Sequence, residues 1–172
     1  MRILIYFALV IVLAFAFGCK KAAEKASEGL AEKMIEQSSG GKVDVDLKNG
    51  GATIVDKETG NTTTVDAKGG KMPEGWPKNI TQYPGSKVTQ SSATDTEKGK
   101  SFSIILETTD AVDKVNEYYA KELKGAGFKK STEMTREDGV TVFYQSDKDI
   151  LTMTIFKENG KTLLSISLTP SS

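Results

Sequence analysis

The stretch TTDAVDKVNEYYAKELKGAGF, residues 108–128, carries the strongest helix signal in the chain. Asp110 suits the N-cap position, and Gly125 or Gly127 can end the helix. Apolar residues recur at helical spacing and predict one buried stripe: Val112, Val115, Tyr119 and Leu123. We therefore expect one amphipathic helix that packs against another layer of the protein.

Strand patterns flank this helix on both sides. Residues 101–108 alternate between polar and apolar before it, and further strands are predicted at 128–135, 140–146, 150–156 and 162–169. Asn159-Gly160 predicts a tight hairpin between the last two. Three residues of the last strand should face the helix: Leu164, Ile166 and Leu168. The pattern predicts an α+β fold, with an antiparallel sheet of about five strands and one amphipathic helix packed on one face.

The aromatic residues place the main core in the C-terminal half. All nine aromatics after position 18 lie between Trp76 and Phe156. A compact core needs large apolar side chains, so the α+β domain is expected at 71–172. Before it we expect a signal peptide at 1–18, a lipidated cysteine with a tether helix at 19–41, and a small β-hairpin or meander at 42–70.

The tether helix allows two interpretations. Ala23, Ala26, Leu30 and Met34 fall at helical spacing, and Glu24, Glu28, Glu32 and Glu36 form a second stripe, four residues apart. The apolar stripe could serve an oligomerising coiled coil, or the segment could be a solvated spacer. Two heptads rarely suffice for a coiled coil, which favours the spacer.

The meander that follows is thinly apolar. Val43, Val45 and Leu47 alternate with acidic residues, and Asn49-Gly50 predicts a hairpin turn. Asp44, Asp46 and Asp56 could be drawn as a calcium site, but the Gly and the distant Glu of a calcium loop are missing. Alternating carboxylates on a solvent-facing strand are the ordinary explanation, and we expect no metal or other cofactor.

The N-terminus reads as an export signal that ends at Cys19. Arg2 precedes fifteen apolar residues, Ile3–Phe17, which suits a signal peptide better than a membrane span of roughly 20 residues. LAFAFGCKK, residues 13–21, resembles the lipobox of bacterial lipoproteins, in which the cysteine is acylated before cleavage. An ordinary cleavage site after Ala16, or an uncleaved anchor, is the alternative. Cys19 is the only cysteine, so it has no internal disulfide partner.

Composition excludes several classes of function. The chain has 23 basic residues, 23 acidic residues and no histidine. The balanced charge argues against a nucleic-acid partner. The lack of histidine removes Ser-His-Asp and Cys-His catalysis and the commonest zinc sites. We therefore expect a protein that is not an enzyme.

Residues 73–168 resemble a recurrent domain of small uncharacterised bacterial lipoproteins. The matching features are MPEGWPKNITQYPGSKV (72–88), the helix at 108–128 and the strands after it. The resemblance implies a fold and a place in the bacterial cell envelope, but no activity. In a Gram-negative host, Lys20 after the cysteine implies the outer membrane, facing the periplasm.

These observations predict a lipid-anchored, non-enzymatic envelope protein that binds a partner or supports an assembly. The membrane would be reached through lipid on Cys19, and the partner would be an envelope protein. Four aromatics are candidates for the contact surface: Trp76, Tyr83, Tyr118 and Tyr144. They could equally complete a small core. The alternative is a small-molecule or glycan-binding module, with a pocket between helix and sheet lined by Tyr118, Tyr119 and Phe143.

Overall fold

The computed structural model describes residues 21–48 and 50–171 of the 172-residue chain. The predicted signal peptide and the predicted lipidation site, Cys19, lie outside the described residues, as does Asn49 of the first hairpin turn. None of the helices in the described part of the chain has the length and hydropathy of a membrane span.

Two helices and nine strands make up the described chain. The helices are α1 (Lys21–Ser38) and α2 (Val112–Gly125). The strands are β1 (Val43–Lys48), β2 (Gly51–Asp56), β3 (Thr62–Asp66), β4 (Lys87–Thr96), β5 (Gly99–Thr108), β6 (Lys129–Thr135), β7 (Gly139–Gln145), β8 (Asp149–Glu158) and β9 (Lys161–Pro170).

All nine strands form one antiparallel sheet, in the order β1-β2-β3-β4-β5-β9-β8-β7-β6. The prediction of a sheet of about five strands with one packed helix, and a separate meander, is therefore wrong. The meander joins the main sheet because β3 pairs with β4, with Thr63 opposite Thr94. Both strands are rich in hydroxyl and other polar side chains, so hydrophobic alternation does not reveal the pairing.

The sheet consists of two meanders joined by one long-range pairing. Strands β1 to β5 follow one another along the sheet, and so do β6 to β9. The chain crosses between them through α2, and β5 then pairs with β9, from Phe102 opposite Leu168 to Thr108 opposite Thr162.

The main core lies between α2 and one face of the sheet. Val115, Tyr119 and Leu123 of α2 are fully buried. Leu164, Ile166 and Leu168 of β9 are buried in the same cluster, so the prediction that they face the helix is confirmed. These side chains fill the space between helix and sheet, which fixes α2 firmly on this face.

The two ends of α2 differ in how well they were predicted. Ala111, rather than Asp110, occupies the N-cap, and no side chain caps the helix there. At the other end Gly127 has a φ of +90°, and the amide of Phe128 donates to the carbonyl of Leu123 at 2.9 Å. This Schellman geometry confirms that a glycine closes the helix.

The N-terminal helix, α1, contacts β1 at the opposite end of the sheet. Pairing runs from Leu47 through Ala52, Val65 and Ser92 to Ser103. Ser103 alternates with the core residues of β5 and therefore points away from α2. Since paired residues share a face, β1 turns its apolar side chains away from α2.

Candidate functional site

Two of the four candidate aromatics come together beside α2. Tyr83 lies in the loop before β4, and Tyr118 lies on α2, with ring centroids 5.0 Å apart in an edge-to-face arrangement. Tyr119 completes the cluster at 5.1 Å from Tyr118 and 6.3 Å from Tyr83. Edge-to-face aromatic pairs add stability beyond their buried area, so the three rings hold the loop against the helix.

The loop that supplies Tyr83 is shaped by a turn. The amide of Ser86 donates to the carbonyl of Tyr83 at 3.1 Å, and Gly85 has a φ of +73°. A positive φ at the third residue is the mark of a type II turn, as the Tyr83-Pro84-Gly85-Ser86 sequence predicts. The turn orients Tyr83 toward the helix immediately before β4 begins.

Asp110 anchors the cluster to the start of α2. The Tyr83 hydroxyl donates to Oδ2 of Asp110 at 2.6 Å, and Nζ of Lys114 donates to Oδ1 at 3.0 Å. These two hydrogen bonds hold the pKa of Asp110 below its ordinary value. Burial, followed by the bond to this carboxylate, raises the pKa of Tyr83 to about 12. At neutral pH the pair is therefore a neutral phenol that donates to a carboxylate.

Thr81 connects the same loop to the middle of α2. Its amide and its hydroxyl both donate to Oε1 of Glu122, at 3.1 and 2.6 Å. The hydroxyl also lies 2.8 Å from that of Tyr118, and the Tyr119 hydroxyl donates to the Thr81 carbonyl at 3.1 Å. Thr81, Tyr118, Tyr119 and Glu122 are thus paired with one another in advance of any ligand.

A groove of about 630 Å³ opens over this network, and we name it the tyrosine groove. Its walls are Asn79, Tyr83, Lys114, Glu117, Tyr118, Lys121, Glu122, Gly125 and Ala126. The α2 members recur three and four residues apart, so one outer side of the helix forms one wall. The volume falls within the range of about 300–1,000 Å³ that is typical of ligand sites.

The other two candidate aromatics lie apart from the groove. Trp76 is half-buried, packs against Phe102 at 5.8 Å and donates its ring N–H to the Ile80 carbonyl at 2.7 Å. Tyr144 is buried in the main core, and burial raises its pKa. Its hydroxyl is enclosed without a hydrogen-bond partner among the described residues. The positions of these two rings fit the alternative interpretation, in which the aromatics complete a small core instead of forming a contact surface.

The predicted pocket between helix and sheet does not bring its three residues together. Tyr119 is fully buried among core residues. Phe143 alternates with Val142 and Tyr144, which belong to the core, so it lies on the opposite face of the sheet. Of these three residues, only Tyr118 lines the tyrosine groove.

The sheet face away from α2 is rich in hydroxyl side chains. Ser92, Ser103, Ser167 and Thr152 follow one another across four adjacent strands. Exposed apolar residues accompany them, with Met134 at 43% and Ile150 at 40% exposure. We call this surface the open face.

Sequence reasoning missed Thr81 and Glu122 and gave Asp110 a different role. Thr81 lies in a proline-rich loop that shows no periodic pattern, so its contact with α2 has no sequence signal. Glu122 follows Tyr118 by four residues, which places both on one side of the helix. In the part of the chain that the structure describes, no group of three or more acidic or cysteine side chains is placed to hold a metal ion.

A comparison with protein families matches part of the chain that builds this site, but not the loop that supplies Asn79, Thr81 and Tyr83. Residues 87–171 match a family model described as START domain-like. The match covers just under half of the chain. It begins at the first residue of β4, runs through α2 and ends after β9, so it includes the helical wall of the tyrosine groove. No curated protein and no solved structure matches the chain.

Proposed function

We propose that this is a non-enzymatic, lipid-anchored protein of the bacterial envelope whose START-like segment binds a small molecule in the tyrosine groove. The observation that carries the proposal is the groove itself, whose α2 wall lies within the START-like match, whereas Asn79 and Tyr83 of its other wall precede the match. A START-like domain favours a small-molecule-binding module over an assembly role. Lipid on Cys19 would hold the module at the membrane, at the outer membrane in a Gram-negative host.

The groove offers a rigid aromatic ring beside charges of both signs. Tyr118 is half-exposed and is held by Thr81 and the neighbouring rings, so little side-chain freedom is lost when a ligand packs on it. Lys121 and Glu117 are exposed on the same wall. This combination suits a ligand with a flat ring or sugar face and hydrogen-bonding groups at its edge.

A thermal-shift screen against small molecules and soluble glycans tests the binding role. A ligand at one hundred times its Kd stabilises the native state by about 2.7 kcal/mol, which raises the melting temperature. We expect Tyr118→Ala to abolish the shift for a groove ligand and Phe156→Ala, on the open face, to leave it unchanged. A shift that survives Tyr118→Ala places the ligand elsewhere and counts against the groove.

The membrane anchor has a separate test. The intact mass of the chain from the membrane fraction should correspond to a polypeptide that begins at Cys19 and carries acyl chains. The Cys19→Ser variant should lack the mass of the acyl chains. An unmodified cysteine, or a chain that retains residues 1–18, would contradict lipidation and leave the binding role to stand on its own.

A protein partner on the open face is the second candidate. Met134 and Ile150 are among the most exposed large hydrophobic residues of the described chain, and both lie on this face. Cross-linking in membranes should capture an envelope partner that a Met134→Ser/Ile150→Ser double variant loses and a Tyr118→Ala variant retains. Equal capture by both variants would remove the open face as the contact surface.

A further inference from the structure

Helix α1 turns the carboxylates of Glu32 and Glu36 toward the sheet and leaves Leu30 and Met34 exposed, while its other large apolar residue, Ile35, is half-buried. Oε1 of Glu36 accepts a hydrogen bond from the amide of Val45 at 3.2 Å, and Oε1 of Glu32 accepts one from the amide of Leu47 at 2.7 Å. Leu30 and Met34 are 64% and 66% exposed, more than any other large hydrophobic residue that the structure describes. An ordinary surface helix buries residues such as Leu30 and Met34 against the core.

The repeat lengths of helix and strand explain the arrangement. Residues four apart on a helix are separated by about 6.0 Å along its axis. Alternate residues of a strand are separated by about 6.6–6.8 Å. Two glutamates four residues apart therefore reach two successive outward-pointing amides of β1. The glutamate stripe seals this edge strand, which would otherwise expose unpaired amides.

The seal fixes the rotation of α1 about its axis. With Glu32 and Glu36 held at β1, Leu30 and Met34 must lie on the far side of the helix. They border a shallow groove of about 510 Å³ together with Lys33, Glu36 and Gln37, of which Glu36 also accepts the hydrogen bond from the Val45 amide. The exposed side chains along this part of α1 include one lysine and no acid, since the glutamates between 28 and 36 are half-buried.

The chain before α1 indicates what covers this surface. Cys19, the proposed site of lipid attachment, lies only two residues before Lys21, where α1 begins. Leu30 follows nine residues later, or about 14 Å along the helix axis. Two side chains also bury far too little area for a stable dimer, which needs about 1,200 Å² or more. The lysine beside them suits an anionic lipid surface.

We propose that Leu30 and Met34 insert into the membrane interface, so that α1 lies on the lipid surface and the β1 edge of the sheet faces the membrane. The inference rests on the proposed membrane attachment of the preceding segment. Attachment of the preceding segment keeps α1 close to the lipid surface, which two inserted side chains could not do by their own affinity for lipid. The tyrosine groove, at α2 on the other sheet face, remains open to solvent.

Brominated lipids test the proposal through added tryptophans. The full chain and its Met34→Trp and Met134→Trp variants are reconstituted in phosphatidylethanolamine–phosphatidylglycerol vesicles with or without brominated acyl chains. The wild-type signal of Trp76 is subtracted. Met134 is the matched control, since it is also an exposed methionine but lies on the distant edge strand β6.

We expect the tryptophan at position 34 to emit at shorter wavelength in vesicles and to lose emission in brominated lipid, while the one at position 134 does neither. Equal quenching at both positions, or none at position 34, overturns the inference.

Flotation of the same vesicles reports attachment independently. A chain that floats without quenching at position 34 refutes the inference alone, whereas a chain that does not float refutes both proposals. Self-association that requires Leu30 would assign the surface to a second copy instead.

Discussion

The Tyr83 hydroxyl donates a 2.6 Å hydrogen bond to Oδ2 of Asp110, 27 residues further along the chain. This bond joins the loop before β4 to a residue two positions before the start of α2, and so it links the two walls of the tyrosine groove. Thr162 of β9 donates to the backbone carbonyl of Asp110 at 2.6 Å, which fixes the same residue to the sheet. Asp110 is therefore one of the two acidic residues, with Glu122, that fix the position of the groove.

The first prediction concerns acid stability. The Tyr83 and Lys114 bonds lower the pKa of Asp110, so its carboxylate contributes stability above its unfolded pKa of about 3.9. That contribution is lost as the pH falls through the lower folded pKa. Tyr83→Phe removes the larger cause, so wild type should be the more stable at neutral pH and lose this advantage in acid. Urea midpoints measured across the pH range check this, and an advantage that persists in strong acid would contradict it.

The second prediction concerns the ionisation of Tyr83 in alkali. Its pKa is raised to about 12, chiefly by burial and then by the Asp110 bond. The stability linked to this shift is fully present below the unfolded pKa of about 10 and is lost as the pH rises through the folded value. Phenolate absorbance of wild type minus that of Tyr83→Phe isolates this ring. Asp110→Asn should lower the pKa only in part, because burial remains, and a return to the ordinary value would contradict this ranking.

The third prediction compares two glycines at the end of α2. An added Cβ meets no atom within 4 Å at either Gly125 or Gly127, but only Gly127 has a positive φ. Gly127→Ala should therefore cost about 1–2 kcal/mol through backbone strain. Gly125→Ala should be neutral or stabilise by up to about 1 kcal/mol, since it replaces a helical glycine. Urea denaturation measures both, and equal effects would exclude strain as the cause.

The fourth prediction concerns the sealed edge of β1. Glu32→Ala should expose the amide of Leu47, and Glu36→Ala that of Val45, because each loses its carboxylate acceptor. Hydrogen exchange resolved by residue should show faster exchange at these amides. Glutamine at either position keeps an oxygen acceptor and should retain much of the protection. Unchanged exchange in the alanine variants would mean that other contacts shield the edge.

Strong periodic patterns predicted the C-terminal part of the fold well. The spacing of Val115, Tyr119 and Leu123 predicts α2, and the alternation of Leu164, Ile166 and Leu168 predicts the buried side of β9. These signals are reliable because the same residues form the core that creates the pattern. Polar strands give no such signal, so the β3–β4 pairing and the full width of the sheet did not follow from the sequence.

The candidate site was predicted less completely than the fold. Tyr83 and Tyr118 were named as candidates, but nothing in the sequence indicated that Thr81 and Asp110 would connect them. Both connections join a loop to a helix across a long stretch of chain, and each depends on tertiary packing. Asp110 was expected at the N-cap because its residue type suits that position. Its carboxylate bonds Tyr83 and Lys114 instead, and Ala111 takes the cap.

The β3–β4 pairing has a consequence for the order in which the protein folds. Val43, Val45, Ala52 and Val65 are buried but do not belong to the main core cluster, so the first three strands have a separate small core. Three short strands with so little apolar area are marginal alone. Strands β6 to β9 can form from neighbouring hairpins, whereas the β5–β9 pairing closes a loop from Phe102 to Leu168 and should be slower. The N-terminal strands should then assemble last, with β4 as their template, and be the first to open when the native protein fluctuates.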